Sequence, residues 1–513
     1  MSNDAAGLRR KTRSGFLWAF AGAGAQNILQ FVVLLVLARY LSADEFGVVN
    51  LSLIIVGFSA LFSNMGAGPA IVQRYTLTSG HIKAAFIVSS VLGAAVGAVL
   101  WGLSDVLAHF FRMEELRSVV QIFALIFPLG GLTVVPEALL QREMRFKYLS
   151  ALQVASYAAG YGVAGIGLAI LDFGIWSLVG AHLVQTAIRT IGLWSAYPPL
   201  RLLRQPGRIG KRTVFEMLRF GGGASLDQLG NYAALQGDNV LIGRWLGADA
   251  LGIYGRAYQL AVLPATLLGQ VLDKVLFSSM SKVQQDMAAF RASYVRNLAY
   301  VNGFVVPLTV YCIAFAPNII EWVLGGAWSA AVRPFQILCL GMMFRTGYKV
   351  SNSAALALGL VYQRALRQWI YVALVIAGTL AGLRWGLPGA AFGVLAAIAI
   401  HYWNMMALCR RGLGLGWREL IRLHYPALAA AVWLGFGMWL GLMLLARIQA
   451  GSFLELVLGG GMLVSLYAAL VWLVPEFMLG IDREGIKRML TRITKFARAG
   501  NRGVRRAESG EQP

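Results

Sequence analysis

Polar side chains in this chain sit inside long apolar runs, and their spacing decides what chemistry they could perform. Asp227, Asn231 and Asp238 are separated by four and seven residues, which at 100° per residue places them within about 40° on one helix face. Gln26 and Gln30 form a similar stripe near the N-terminus. Arg256, Gln259 and Gln270 share an arc, with Asp273 and Lys274 beyond it. Arg345, Tyr348 and Asn352 align, and His182, Gln185 and Arg189 recur at i, i+3 and i+7. Arg296, Asn297 and Tyr300 open another run. A guanidinium offers a two-pronged donor to phosphate, while amides and phenols bond hydroxyl groups. This is binding chemistry for an anionic, hydroxyl-rich ligand, with carboxylates available to take up a proton or cation.

Gln26, Gln30, Asn231, Arg256, Gln259 and Arg345 are therefore candidate substrate-binding residues, and Asp227 and Asp238 candidate ion-coupling residues. A bland reading stays beside this one. Polar groups between membrane helices also act as glue, worth about 0.6 kcal/mol each. Cations near span ends, such as Arg189, Arg296, Lys274 and Arg345, can snorkel to headgroups. Glu137 and His401 read as structural.

No catalytic constellation accompanies these stripes: the chain has no Walker A, HExxH or GxSxG sequence. Cys312, Cys339 and Cys409 lie in apolar segments at no metal-ligand spacing, so neither metal nor cofactor is expected. The expectation is a binding and transport protein, not an enzyme.

The elements that carry the stripes must be membrane helices. The 513 residues are 58% hydrophobic and 13% charged, against about 45–50% and about 25% in soluble domains. The net charge of +22 is spread in short stretches between apolar runs, not clustered with aromatics on a soluble face, which argues against nucleic acid. Roughly 20 apolar residues make a span. That ruler gives fourteen segments, at about 15–38, 48–72, 84–109, 118–140, 149–171, 174–197, 219–243, 251–273, 297–317, 330–350, 368–386, 388–409, 424–446 and 453–479. With the N-terminus inside, alternate loops collect 36 of the 45 Lys and Arg, as the positive-inside rule requires. Arg39, Arg112, Arg117, Arg244, Arg384 and Arg447 fall outside. Both termini are thus expected in the cytoplasm. The first apolar run continues to Leu37, well past the length of a cleaved signal's apolar core, so it is expected to be retained.

A repeat organises the spans. Arg39-Tyr40-Leu41-Ser42-Ala43-Asp44-Glu45-Phe46-Gly47 matches Arg244-Trp245-Leu246-Gly247-Ala248-Asp249-Ala250-Leu251-Gly252 at Arg, Leu, Ala, Asp and Gly, offset by 205. Both copies join the first two helices of a six-helix group and face the same side. The expected fold is an all-α polytopic membrane protein with two six-helix lobes related by a pseudo-two-fold along the membrane normal, plus two extra helices. The lobes are residues 1–197 and 219–409, joined by a basic linker, 198–218, and followed by helices 13 and 14 in 410–479. The tail, 480–513, places Ile486, Leu490 and Ile493 among Lys487, Arg488 and Arg492, the pattern of an interfacial helix on anionic lipid.

The stretch Gly237-Asp238-Asn239-Val240-Leu241-Ile242-Gly243-Arg244-Trp245-Leu246, running through Leu251-Gly252-Ile253-Tyr254-Gly255-Arg256-Ala257-Tyr258, resembles the Wzx-type oligosaccharide-lipid flippases. So do Val275-Leu276-Phe277-Ser278-Ser279-Met280-Ser281-Lys282-Val283-Gln284 and, in the first lobe, Ala38-Arg39-Tyr40-Leu41 with Phe46-Gly47. These belong to the polysaccharide-transport family of the MATE-like superfamily, and the pattern is similar to colanic-acid-type exporters. The resemblance implies a bacterial inner-membrane protein that moves undecaprenyl-diphosphate-linked oligosaccharide repeat units to the periplasmic leaflet for exopolysaccharide or lipopolysaccharide assembly. Its implied partners are the lipid-linked substrate and membrane lipids. Docking of polysaccharide assembly machinery is compatible with the tail, though no residue pattern singles it out. Three alternatives stay open: a lipid-linked peptidoglycan precursor flippase, a MATE-type drug or cation antiporter, and a membrane glycosyltransferase or polymerase.

Overall fold

The computed structural model describes residues 2–64, 67–74, 76–204, 211–282, 285–445 and 451–474, excluding the side chains of 2–14, 16, 17, 64, 67, 211–227, 267–279, 281 and 282. The tail helix expected in 480–513 and part of the linker lie outside the described residues, as do the side chains of Asp227, Gln270, Asp273 and Lys274.

Every element among the described residues is helical. In chain order they are α1 (Ser2–Tyr40), α2 (Ala43–Asn64), α3 (Ala67–Gln73), α4 (Ser79–Phe111), α5 (Glu114–Ala124), α6 (Ile126–Arg142) and α7 (Phe146–Tyr157). A π-helical stretch, Ala158–Gly165, leads into α8 (Ile166–Ile170), then α9 (Ile175–Ala196), α10 (Pro199–Leu203) and α11 (Lys211–Lys282). There follow α12 (Met287–Ala314), α13 (Ala316–Val323), α14 (Val332–Leu340), α15 (Met342–Ala357), α16 (Val361–Gly382), α17 (Gly386–Leu413), α18 (Trp417–Arg422), α19 (Tyr425–Leu445) and α20 (Ser452–Leu473).

Ten helical stretches among the described residues are long and apolar enough to cross a membrane. The chain is a multi-pass membrane protein, all-helical among the described residues. Exposed aromatic and aliphatic side chains such as Trp101, Phe392, Val432 and Trp472 fit a surface that meets lipid rather than water. Helix ends are marked by local chemistry. Thr78 and His81 form a reciprocal capping box at the start of α4, and the Asp286 carboxylate accepts from the Ala288 and Ala289 amides to begin α12. Gly247, at φ 89°, breaks α11 into two arms at the second copy of the repeat.

The chain forms two compact units. The first comprises the described residues of 1–260, 320–338 and 365–398; the second comprises those of 261–319, 339–364 and 399–513. In the first unit, α4 packs on α5 and α6, α1 on α7, and α9 on the π-helical stretch. In the second, α12 packs on α15 and α19, and α19 on α20. There Tyr294 shares a hydrogen bond with Ser351 at 2.9 Å, and the Tyr311 hydroxyl donates to the Leu456 carbonyl at 2.7 Å.

Candidate functional site

Among the described residues of the first unit, two cavities share His182 and Gln185. The smaller, about 450 Å³, is lined by Gln26 and Gln30 of α1, Phe46 and Asn50 of α2, Gln153 and Tyr157 of α7, Tyr161 of the π-helical stretch, and Arg256 and Gln259 of α11. Among the described residues, its polar lining holds one guanidinium and no carboxylate.

Arg256 reaches this position because Gly247 restarts the helix nine residues earlier and Gly252 lets that arm approach α2. A Cβ on Gly252 would collide with the backbone carbonyl of Ala43, and one on Gly47 with that of Ala248. Only glycine at both positions permits so close a crossing. The Arg256 guanidinium lies 4.6 Å from the Phe46 ring centroid, and its Nη1 donates to Gln259 Oε1 at 2.5 Å. Its Nε is buried without a hydrogen-bond partner among the described residues. Phe46 is fixed in turn by the edge of Trp328, 5.6 Å away, whose Nε1 donates to the Ala38 carbonyl at 2.9 Å. A rigid aromatic platform therefore supports the cation.

Gln153, Tyr157 and Tyr161 add a further part of the wall. Tyr157 and Tyr161 stack with centroids 4.8 Å apart and planes 14° from parallel. Gly160 within the π-helical turn has α9 pressed against it: a Cβ there would lie 2.6 Å from both the Ala181 carbonyl oxygen and Gln185 Cβ. This close approach brings His182 and Gln185 into the cavity wall. His182 is wedged between the Phe123 ring, 5.2 Å away, and the Tyr161 hydroxyl, 3.4 Å from its Nδ1. Buried Gln26, with Oε1 unpartnered among the described residues, completes a surface rich in unused hydrogen-bonding capacity. Such a lining suits a ligand that carries both negative charge and hydroxyl groups.

The larger cavity, about 920 Å³, runs along α2, α3, α6 and α9. Gln141, Gln185, Thr186 and Gln228 supply amide and hydroxyl groups, and Glu137 and Arg189 form an ion pair across it at 2.8 Å. The stripe His182, Gln185 and Arg189 lines this cavity as a single face of α9.

Of the residues chosen from sequence, Gln26, Gln30, Arg256 and Gln259 meet in the smaller cavity. Asn231 is exposed on α11 and lines neither cavity. Asp238 is 1% exposed and also lines neither; it accepts from the Tyr254 hydroxyl at 2.7 Å and from the Asn239 amide nitrogen at 2.9 Å. Arg345 is buried in α15 of the second unit and is absent from both linings. Asp227 lies on α11 with its side chain outside the described residues. Tyr157, Tyr161 and Gln153 were not selected from sequence, although their four-residue spacing marks one helix face. Glu137, read there as structural, faces the larger cavity.

Comparison with known proteins agrees with this architecture. The chain is 26% identical over 344 residues to the lipopolysaccharide biosynthesis protein WzxC of Escherichia coli strain K12, covering 66% of this chain and 68% of that protein. It is 25% identical over 353 residues to the teichuronic acid biosynthesis protein TuaB of Bacillus subtilis strain 168, covering 69% and 72%. Among solved structures it shares the fold of the lipid II flippase MurJ in an inward closed conformation, with TM-score 0.70, 12% identity, and coverage of 90% of this chain and 100% of that one. Residues 36–333 match the family model described as polysaccharide biosynthesis protein, which is more than half the chain, and the protein belongs to that family.

Proposed function

We propose that the protein is an alternating-access flippase that carries undecaprenyl-diphosphate-linked oligosaccharide repeat units from the cytoplasmic to the periplasmic leaflet of a bacterial inner membrane, for exopolysaccharide or lipopolysaccharide assembly. One observation carries this reading: Arg256 is a half-buried guanidinium in a polar cavity whose lining, among the described residues, contains no carboxylate. A charge left without a counter-ion at membrane depth is costly, and a diphosphate supplies the missing anion. Gln26, Gln30 and Gln259 contact sugar hydroxyls beside it, with Tyr157 and Tyr161 offering aromatic faces. The polyprenyl tail stays in lipid.

Asp238 and Asp227 are the ion-coupling candidates. Asp238 bonds to Tyr254, two residues from Arg256, so a change in its protonation would be felt on the arm that holds the cation. The family relatives by sequence are polysaccharide and lipopolysaccharide biosynthesis proteins, which favours a saccharide repeat unit over a peptidoglycan precursor. The likeness to MurJ is one of fold.

The reading includes fourteen spans in two related six-helix lobes. In its favour, α9 and the two arms of α11 have spanning length, and the 361–413 stretch is interrupted by a 3-10 turn at Leu383–Trp385. The reciprocal approach of Gly47 to Ala248 and of Gly252 to Ala43 also supports a two-fold relation, since these pairs interchange under the 205-residue offset.

The test is genetic and chemical. A deletion strain should accumulate lipid-linked repeat units on the cytoplasmic side, cleared by the wild-type gene and not by Arg256→Gln. Normal export of the repeat unit in the deletion strain would reject the assignment.

A further inference from the structure

The larger cavity contains a charged pair for which diphosphate binding at Arg256 has no use. Arg189 donates from Nη2 to Glu137 Oε1 at 2.8 Å, and the two side chains remain 46% and 30% exposed. An ion pair with that much access to water is held weakly, so an anion of better geometry can replace the carboxylate. A diphosphate presents several oxygens to the guanidinium fork and suits it better than one carboxylate oxygen does. Arg189 also lies on the same face of α9 as His182 and Gln185, which line both cavities. From His182 to Arg189 the helix rises about 10 Å. Arg256 lines the smaller cavity and Arg189 the larger, so the two guanidiniums are stations on linings joined by His182 and Gln185.

We propose that Arg189 is a second anion subsite, filled by Glu137 in the unloaded protein and taken by the substrate diphosphate on its way to Arg256. The inference rests on the flippase reading above. Glu137 is then an internal competitor. It neutralises Arg189 while the cavity is empty, and it returns to Arg189 once the diphosphate moves on, which keeps the substrate from being trapped at the first station.

The experiment measures binding of undecaprenyl diphosphate to the purified full-length protein in nanodiscs, alongside transport in vesicles. Glu137→Gln should bind the diphosphate lipid about 5- to 10-fold more tightly and transport more slowly, because the competitor is gone while the side-chain shape is kept. Arg189→Gln should bind several-fold more weakly. The double variant should match Arg189→Gln alone, an outcome that a merely structural Glu137 would not produce. If Glu137→Gln is poorly folded by thermal unfolding, Glu137→Ala removes the same carboxylate and gives the same comparison. A free acidic oligosaccharide serves as the second arm: tightening toward it, without tightening toward undecaprenyl diphosphate, overturns the assignment to diphosphate. Unchanged affinity in Glu137→Gln, with normal wild-type binding, overturns this inference alone. A wild-type protein that binds no diphosphate lipid overturns this inference together with the flippase reading.

Discussion

Arg256 differs from Arg189 and Arg291 in what surrounds it. Arg189 has Glu137, and Arg291 has Glu419, whereas Arg256 has a phenyl ring, an amide oxygen and open cavity. Replacing it with Gln removes the charge and keeps hydrogen bonding, so transport should fall at least 10-fold while the folded protein survives; flipping of a labelled lipid-linked saccharide in proteoliposomes measures this. Lys should restore only part, because an ammonium lacks the two-pronged geometry. Asp238 predicts the opposite balance. Its carboxylate is enclosed and bonded to Tyr254, itself fully buried, so Asp238→Ala removes a buried hydrogen bond and should cost about 1–3 kcal/mol of stability. Asp238→Asn should retain the fold. Loss of transport in Asp238→Asn at unchanged thermal stability would support ion coupling, and full transport would remove it. Helical spacing alone singled out Gln26, Gln30, Arg256 and Gln259, which line one cavity because stripes on α1 and α11 keep their register. It could not tell that Asp238 turns toward Tyr254, since a period of 3.6 gives a face without saying what that face meets. Tyr157 and Tyr161 escaped notice because an aromatic at membrane depth is ordinarily packing material.

At the level of elements, close helix crossings place the site more than any single bond does. Gly47 and Gly252 let the starts of α2 and of the second arm of α11 touch backbone to backbone. A methyl at either cannot be absorbed by a flexible side chain, because the obstacle is a carbonyl. Gly47→Ala and Gly252→Ala should therefore each push this crossing apart. A cysteine placed at Leu37 in the smaller cavity should then label several-fold faster with a membrane-impermeant reagent added from outside. Equal labelling in wild type and both variants would mean that the crossing does not close the cavity. The repeat containing these glycines was visible in sequence as matching Arg, Leu, Ala, Asp and Gly. Their reciprocal contact was not, because sequence similarity between two segments does not reveal that they face each other. The π-helical turn at Ala158–Gly165 was equally hidden: its small residues look like any packed membrane helix, and the extra residue per turn depends on the fit of α9 against Gly160.

For the whole molecule, the number of crossings and the placement of charge test each other. Ten stretches among the described residues are long and apolar enough to cross a membrane. If only those ten crossed, α9 would not, and the linker with Arg201, Arg204, Arg208, Lys211 and Arg212 would face outside, against the positive-inside rule. The 22 residues of α9 span about 33 Å, enough for a hydrocarbon core of about 30 Å. The 53-residue stretch 361–413 is far too long for one crossing and turns at Gly386, φ 67°. Counting α9, both arms of α11 and two crossings in that stretch restores an inside linker. A reporter inserted at Gly207 distinguishes the two arrangements. With fourteen spans, a fluorescent protein there should glow and alkaline phosphatase should be inactive, while phosphatase inserted at Met113 should be active. Active phosphatase at Gly207 would put five cations on the outer face and place Arg189 at the wrong end of the cavity for loading from the cytoplasm. The topology and the direction of transport would then have to be abandoned together.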